Sequence, residues 1–273
     1  MHVRTGRFRL YAAVAGGSFR RYATYRVATA AGVFTNSAFG LILAYTYVAL
    51  WDERPGLGGY DQSQALTYVW LAQGLLTSMA LMGGGFESEL IERIRTGDIA
   101  VDLYRPADLQ LWWLATDLGR GGFQLLGRGV LPMVFGALVF DLTLPQDVGR
   151  WAAFLLAVVL GALVGFALRY LVALSAFWLL DGAGTLQVAM LAGTFFSGML
   201  LPLNVFPGAL GEFARALPWS ALLQLPADVF LGTHSGTGLL RVYAFQLGWA
   251  AVLFTAGRLL QAAATRRVVV QGG

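Results

Sequence analysis

The chain has no cysteine, no lysine, only two histidines and few charges of either sign. Without cysteine it has no disulfide, no thiolate metal ligand and no thiol nucleophile. Without lysine it cannot carry the phosphate-binding loop GxxxxGK[ST], so any ATP-driven work needs an ATPase on another subunit. His2 and His234 fall on opposite predicted membrane sides, which rules out a shared metal site or a Ser-His pair. Charged residues make up 12% of the chain, against about 25% in soluble domains. What is present instead is apolar: 57% of residues are hydrophobic and the mean hydropathy is +0.64. That composition defines an all-α integral membrane protein, and a pI near 9.6 reflects arginines flanking apolar runs rather than a nucleic-acid surface.

A membrane-crossing helix needs roughly 20 mostly apolar residues. Six stretches meet that need: 28–50, 64–82, 121–140, 151–180, 186–203 and 242–260. All 19 basic residues are arginine. With the N-terminus inside, only Arg54, Arg150, Arg215 and Arg241 fall outside, and the other fifteen lie on the inner side. This asymmetry predicts cytoplasmic termini and a multi-pass membrane protein. The first twenty-six residues hold six arginines and no long apolar core, so they do not read as a cleaved signal.

Three segments stand apart from the spans. Residues 1–26 interleave Phe8, Leu10, Tyr11, Phe19 and Tyr22 with arginines, which predicts an interfacial helix; a disordered basic tail is the alternative. Residues 86–110 form the only block dense in both charge signs. Phe86, Leu90, Ile91 and Ile94 recur at helical spacing among Glu87, Glu89, Glu92, Arg93 and Arg95, and Gly97 and Arg105-Pro106 interrupt the run. An amphipathic helix in the longest inner loop predicts a docking surface, with a plain solvated loop as the alternative. Residues 182–211 carry no charge and contain SGMLLPLNVFP. Pro202 should stop the fifth span, and the apolar stretch 204–232 should fold back as an external re-entrant hairpin.

On these residues the chain resembles the membrane permease subunit of type-2 ABC exporters. Ala23-Thr24-Tyr25-Arg26 resembles that family's entry to the first span. Ile94, Gly97, Ile99, Leu103 and Arg105-Pro106 resemble its cytoplasmic coupling segment, and Ala176-Phe177-Trp178 the end of its fourth span. Ser197-Gly198, Pro202, Phe206-Pro207, Leu217-Pro218, Pro226 and Gly232 resemble its external signature. The resemblance implies one permease domain over 1–273, six transmembrane helices, and a translocation path shared with a second permease, either a different half-subunit or a second copy. It implies separate ABC ATPase subunits that bind ATP and Mg, with no cofactor and no catalysis in this chain. It assigns ATPase coupling to Phe86, Glu87, Leu90, Ile91, Arg93, Ile94, Gly97, Arg105 and Pro106. It assigns an external gate to Ser197, Gly198, Pro202, Phe206, Pro207, Pro218 and Pro226.

Rival functions make different demands. An ion-coupled secondary transporter needs an acidic residue or histidine within the membrane, and the six predicted span cores have none. A nontransporting assembly subunit stays open. Smaller features carry paired readings. Gly161 and Gly165 form a GxxxG pair for helix packing or dimerisation. Arg128, inside the third span, either snorkels outward or lines a polar vestibule. Gly83-Gly84-Gly85 is a flexible exit or a hinge, Trp112, Trp113 and Tyr104 read as interfacial anchors, and Asp181 reads as a helix-end residue.

Overall fold

The computed structural model describes residues 2–179 and 182–271, with side chains for 8–179, 182 and 184–266. Asp181 and Leu180, the predicted end of the fourth span, lie outside the described residues, as do the side chains of Arg4, Arg7 and Arg267. Every regular element among the described residues is helical: α1 (His2–Ala23), α2 (Arg26–Glu53), α3 (Gln62–Leu76), α4 (Glu87–Thr96), α5 (Ile99–Tyr104), α6 (Leu109–Gln124), α7 (Val130–Val139), α8 (Val148–Leu174), α9 (Ala183–Phe196), α10 (Gly208–Ala216), α11 (Gln224–Leu231) and α12 (Thr237–Gln271).

Four stretches are long and apolar enough to cross a membrane: Arg26–Glu53, Leu109–Val139, Val148–Phe177 and Thr237–Arg266. Their outward faces carry large apolar side chains such as Phe34, Leu138 and Leu259, which are 76%, 81% and 68% exposed and suit a lipid surround. The core lies between the helices, around Tyr68, Trp70, Phe166, Tyr170 and Phe230. Aspartates start three of the helices by accepting a backbone N–H in the first turn: Asp61 for α3, Asp108 for α6 and Asp147 for α8.

The other two predicted spans are broken. α3 has 15 residues and α9 has 14, short of the length needed to cross. α3 gives way to turns from Thr77, with Ala80 at φ 49°, Gly83 at φ 78° and Gly84 at φ 83°. α9 ends at Phe196, six residues before Pro202, because Gly198 adopts φ 87° and turns the chain first. The third span begins twelve residues earlier than hydropathy placed it: α6 and α7 join through the single π-turn Leu125–Gly129 into one helix from Leu109. α1 packs along α6, where Ser18 Oγ donates to the Thr116 carbonyl at 2.7 Å and Phe19 meets Phe123 edge to face.

The Gly161–Gly165 pair on α8 faces the hairpin turn, with Gln246 of α12 beside Gly161. A Cβ on Gly161 would collide with the Ala221 carbonyl, and one on Gly165 would touch Leu222 at 3.4 Å. The small residues let the turn at Pro218–Ala221 lie against the middle of α8. Gly161 is thirteen residues into that helix, about 20 Å from its start.

Candidate functional site

At one end of the bundle, α4 is clamped to two spans by buried charges. Glu87 is fully buried, Asp117 is 5% exposed, Arg120 3% and Arg169 13%. Arg169 Nη1 lies 3.1 Å from Glu87 Oε2, and its Nη2 lies 2.6 Å from Asp117 Oδ2. Arg120 Nε donates to Asp117 Oδ1 at 2.8 Å. Two carboxylates and two guanidiniums therefore neutralise one another away from solvent, the condition under which buried charge is tolerated. Remaining donors go to backbone. Arg120 Nη1 and Nη2 reach the Thr77 and Ser78 carbonyls at 2.6 and 2.9 Å, where α3 breaks and those carbonyls have lost their helical partners. Gly85 N donates to Glu87 Oε1 at 2.9 Å, and Gly85 has no room for a side chain beside the Arg169–Glu87 pair. The glycine run is a tight turn that seats this cluster.

This arrangement revises the expected docking face. Phe86, Glu87 and Leu90 point inward, with Leu90 fully buried and Phe86 packed on Phe166 at 4.9 Å. Leu90 is unavailable to a partner, and an aspartate there would disrupt the fold before it disturbed docking. Ile91 is half-buried against Gly182, and Ile94 and Arg93 are also half-buried. Arg93 Nη2 donates to Asp102 Oδ1 at 2.9 Å, Arg105 Nη1 approaches the same oxygen at 3.1 Å, and Arg105 also covers the Trp112 ring, which ties α4, α5 and α6 together. Gly97, at φ 84°, ends α4, and Pro106 is exposed after it. The outward face is Glu89, Glu92 and Arg95, which are 50%, 54% and 64% exposed. Arg95 holds the Glu92 carboxyl below its usual range by hydrogen bonding to it. Trp113 is buried against Phe86 rather than set at an interface, while Tyr104 is 92% exposed.

At the opposite end, residues 197–232 make two distinct parts. α10 lies at the surface, and Leu210 and Phe213 are exposed rather than shielded. The segment from Pro218 to Leu231 is inserted, with Pro218, Leu222, Leu223, Pro226 and Phe230 buried. Its irregular backbone receives donors from neighbouring elements. Tyr68 Oη donates to the Gly198 carbonyl at 2.9 Å, Tyr47 Oη to Leu200 at 3.0 Å, and Gln246 Nε2 to Ala221 at 3.1 Å. Gln224 joins both limbs: its backbone N donates to the Ser197 carbonyl at 3.2 Å, and its Oε1 accepts from Leu203 N at 2.6 Å. Each carbonyl so satisfied is one that open loop backbone would have to leave to water. The Ser197 hydroxyl is buried without a hydrogen-bond partner. Pro202 is buried behind the turn, Phe206 meets Phe195 in a tilted ring contact at 5.2 Å, and Pro207 is exposed at the start of α10.

At the base of the hairpin, Tyr60 Oη donates to Asp228 Oδ1, and Gln224 Nε2 donates to Asp228 Oδ2 at 3.0 Å. Asn204 Nδ2 completes the group by donating to Tyr60 Oη at 3.0 Å. Neither Tyr60 nor Asp228 belongs to a candidate span, and burial raises both groups above their ordinary pKa. Tyr60 precedes α3, so this bond ties the α2–α3 connection to the hairpin. Replacing Tyr60 by phenylalanine should cost about 1–3 kcal/mol, because it strips a donor from a buried carboxyl. Thermal unfolding of the solubilised chain measures it, and an unchanged midpoint would remove the tie.

Sequence reasoning did not find Asp117, Arg120, Tyr60, Tyr68, Gln224 or Gln246. One signal was available: an arginine inside an apolar span, Arg169, requires a carboxylate within reach. The Asp117–Arg120 spacing of three marks a helical pair.

The fold and the two polar clusters define an integral membrane protein with broken helices whose irregular backbone is satisfied internally, an arrangement found in transporters. Residues 37–272 match the family described as ABC-2 family transporter protein, and the chain belongs to that family. It is a multi-pass membrane component, a permease of an ABC-type transporter. No curated protein matches it.

Proposed function

We propose that the chain is the permease subunit of an ATP-driven exporter, working beside a second permease and coupled through α4 to separate ATPase subunits that bind ATP and Mg. In this reading there are six membrane passages: α2, α3 with its broken exit, the joined α6–α7 helix, α8, α9 and α12. Both termini are cytoplasmic, in a bacterial inner membrane. α1 lies at the inner interface, α4 is the coupling helix, and the inserted hairpin caps the outer mouth of a path lined by α2, α3 and α9. Gly198 and the prolines at 202, 207, 218 and 226, with Phe206, set the shape of that cap, and no step of the work is catalytic.

One observation carries the proposal. α4 is locked to α6 and α8 on its inner face by Glu87, Arg169 and Asp117, and it leaves Glu89, Glu92 and Arg95 exposed on the outer face. A helix that is rigidly attached inside and charged outside can receive force from a docked partner and pass it to the spans. Charge complementarity selects such partners.

The test reverses the exposed charges: Glu89→Arg, Glu92→Arg and Arg95→Glu together. Reversing Glu92 and Arg95 together keeps their mutual pair, and Glu89→Arg gives up only the exposed contact with Arg21 at 3.6 Å, so folding should change by at most about 1 kcal/mol. ATPase copurification should fall at least about tenfold, since two or three interface charge pairs contribute more than the 1.4 kcal/mol that a tenfold change requires. Undiminished copurification together with normal ATPase stimulation would reject α4 as the docking element.

A further inference from the structure

A second group of charges lies at the α4 end of the bundle, apart from the Glu87–Arg169 cluster. A cleft of about 490 Å³ opens there between α1, α4 and the start of α6. Three guanidiniums line it from three elements: Arg21 of α1, Arg93 of α4, and Arg105 at the end of α5. Asp102 and Glu89 share the lining, so three cations against two anions leave one positive charge in excess.

Asp102 is 5% exposed and holds two of the cations side by side. Arg93 Nη2 and Arg105 Nη1 reach its Oδ1 at 2.9 and 3.1 Å, and Arg93 Nε takes its other oxygen. A guanidinium carries five N–H groups in a rigid fork, so Asp102 uses part of each fork and fixes the orientation of the rest. Arg105 is held further by the Trp112 ring, 5.0 Å from its Cζ. Arg21 is looser. It meets Glu89 at 3.6 Å, and the two side chains are 62% and 50% exposed. Such an exposed pair contributes little and is readily exchanged for a stronger anion. Leu10, Val14 and Trp112 give the cleft an apolar side, which strengthens charge pairing inside it. Gly17 leaves it room, since a Cβ there would meet nothing within 4 Å.

The cation excess calls for an anion, and the approach from three elements selects its shape. A carboxylate is flat and offers two oxygens, and Asp102 already fills that role. A phosphate monoester offers three acceptor oxygens pointing in different directions and carries up to two charges. We propose that this cleft binds a phosphate-monoester group, with Arg93 and Arg105 as a fixed pair and Arg21 closing over it from α1 as it leaves Glu89. The head group of phosphatidic acid and a free phosphate ester present the same chemistry. The site is built from this chain alone. It goes beyond the exporter reading and stands whether or not α4 docks an ATPase.

The experiment titrates the full chain in detergent, by calorimetry, with three probes: glycerol phosphate, dihexanoyl phosphatidic acid below its micelle concentration, and dihexanoyl phosphatidylcholine. The first two should bind saturably at one site. Phosphatidylcholine should bind at least about tenfold more weakly, because a diester with a choline group offers fewer charged acceptors. Arg105→Gln should weaken both monoesters about tenfold and Arg21→Gln about threefold, in line with one fixed and one exposed charge-assisted contact. Glu89→Gln should tighten both about threefold, because it removes a repelling charge and releases Arg21. A merely structural role for Glu89 predicts no gain. Gly17→Leu fills the cleft without touching a charge and suits a helix, so it should abolish binding while the unfolding midpoint does not fall. Arg20→Gln removes an equal charge from an exposed position on α1 outside the cleft, and affinity should stay within about twofold. Phosphatidic acid binding more than about tenfold tighter than glycerol phosphate assigns the site to a lipid head group, and equal affinity assigns it to a soluble phosphate ester. No saturable binding of either monoester overturns the proposal. So does wild-type affinity in Arg105→Gln and Gly17→Leu, or an equal loss in Arg20→Gln. Wild-type phosphate affinity in Gly17→Leu together with lost ATPase copurification would give the cleft to the ATPase instead.

Discussion

Replacing Arg169 by methionine should destabilise the chain by roughly 3–5 kcal/mol, the usual consequence of removing one partner from a buried ion pair. The side chain is 13% exposed, and it is the shared counter-charge of Glu87 and Asp117. Without it, two buried carboxylates face one guanidinium, that of Arg120. The double variant Arg169→Met with Glu87→Gln tests the electrostatic origin of the effect. It leaves Asp117 paired with Arg120 at 2.8 Å, and the remaining site is neutral. Most of the lost stability should return, so the two substitutions should be strongly non-additive. If the proposed coupling is correct, the recovered protein should still bind its ATPase through the outer face of α4 and yet fail to couple ATP hydrolysis to transport. Unfolding midpoints and ATPase stimulation report these two results separately. A single Arg169→Met variant as stable as the wild type would show that the cluster does not hold α4 to the spans.

The second large effect is expected at Gly198. Its φ of 87° is a left-handed conformation that costs an alanine about 1–2 kcal/mol. A Cβ there would also collide with the Tyr68 hydroxyl and stand 3.1 Å from Gln224 Oε1. These are the two side chains that satisfy the backbone where α9 turns into the hairpin. Displacing them adds about 1–3 kcal/mol of overpacking, so Gly198→Ala should lose about 3 kcal/mol in all. Gly184→Ala is the control. Gly184 lies in α9 with open space around it, and alanine is the better helix former there. Equal midpoints for the two variants would contradict the view that Gly198 fixes the hairpin's entry.

Much of this architecture is legible in the sequence because it depends on local chemistry. Hydropathy alone places α2, α8 and α12, since a helix that faces lipid must be apolar over its whole length. Gly97 ends α4, and the spacing of Phe86, Leu90 and Ile94 makes that helix amphipathic. The lack of lysine excludes a nucleotide-binding loop whatever the fold. The motifs read in order along the chain, from Ile94 to Pro106, at Ala176-Phe177-Trp178 and from Ser197 to Gly232, carry the family resemblance that the match over residues 37–272 establishes.

The tertiary structure decided what distant partners control. Amphipathicity cannot say whether an apolar face meets a partner protein or the chain's own spans, and here Leu90 meets the spans. Hydropathy started the third span after Asp117 and Arg120 because charge is costly in lipid. Arg169, forty-nine residues beyond Arg120, removes that cost and lets the helix begin at Leu109. α3 breaks at Thr77 because Arg120 takes up the freed carbonyls, and α9 stops before Pro202 because Tyr68 and Gln224 receive the turn at Gly198. In each case a backbone or a charge that would be unacceptable alone becomes stable when a partner far away in sequence arrives to satisfy it, and only the folded chain reveals which partner that is.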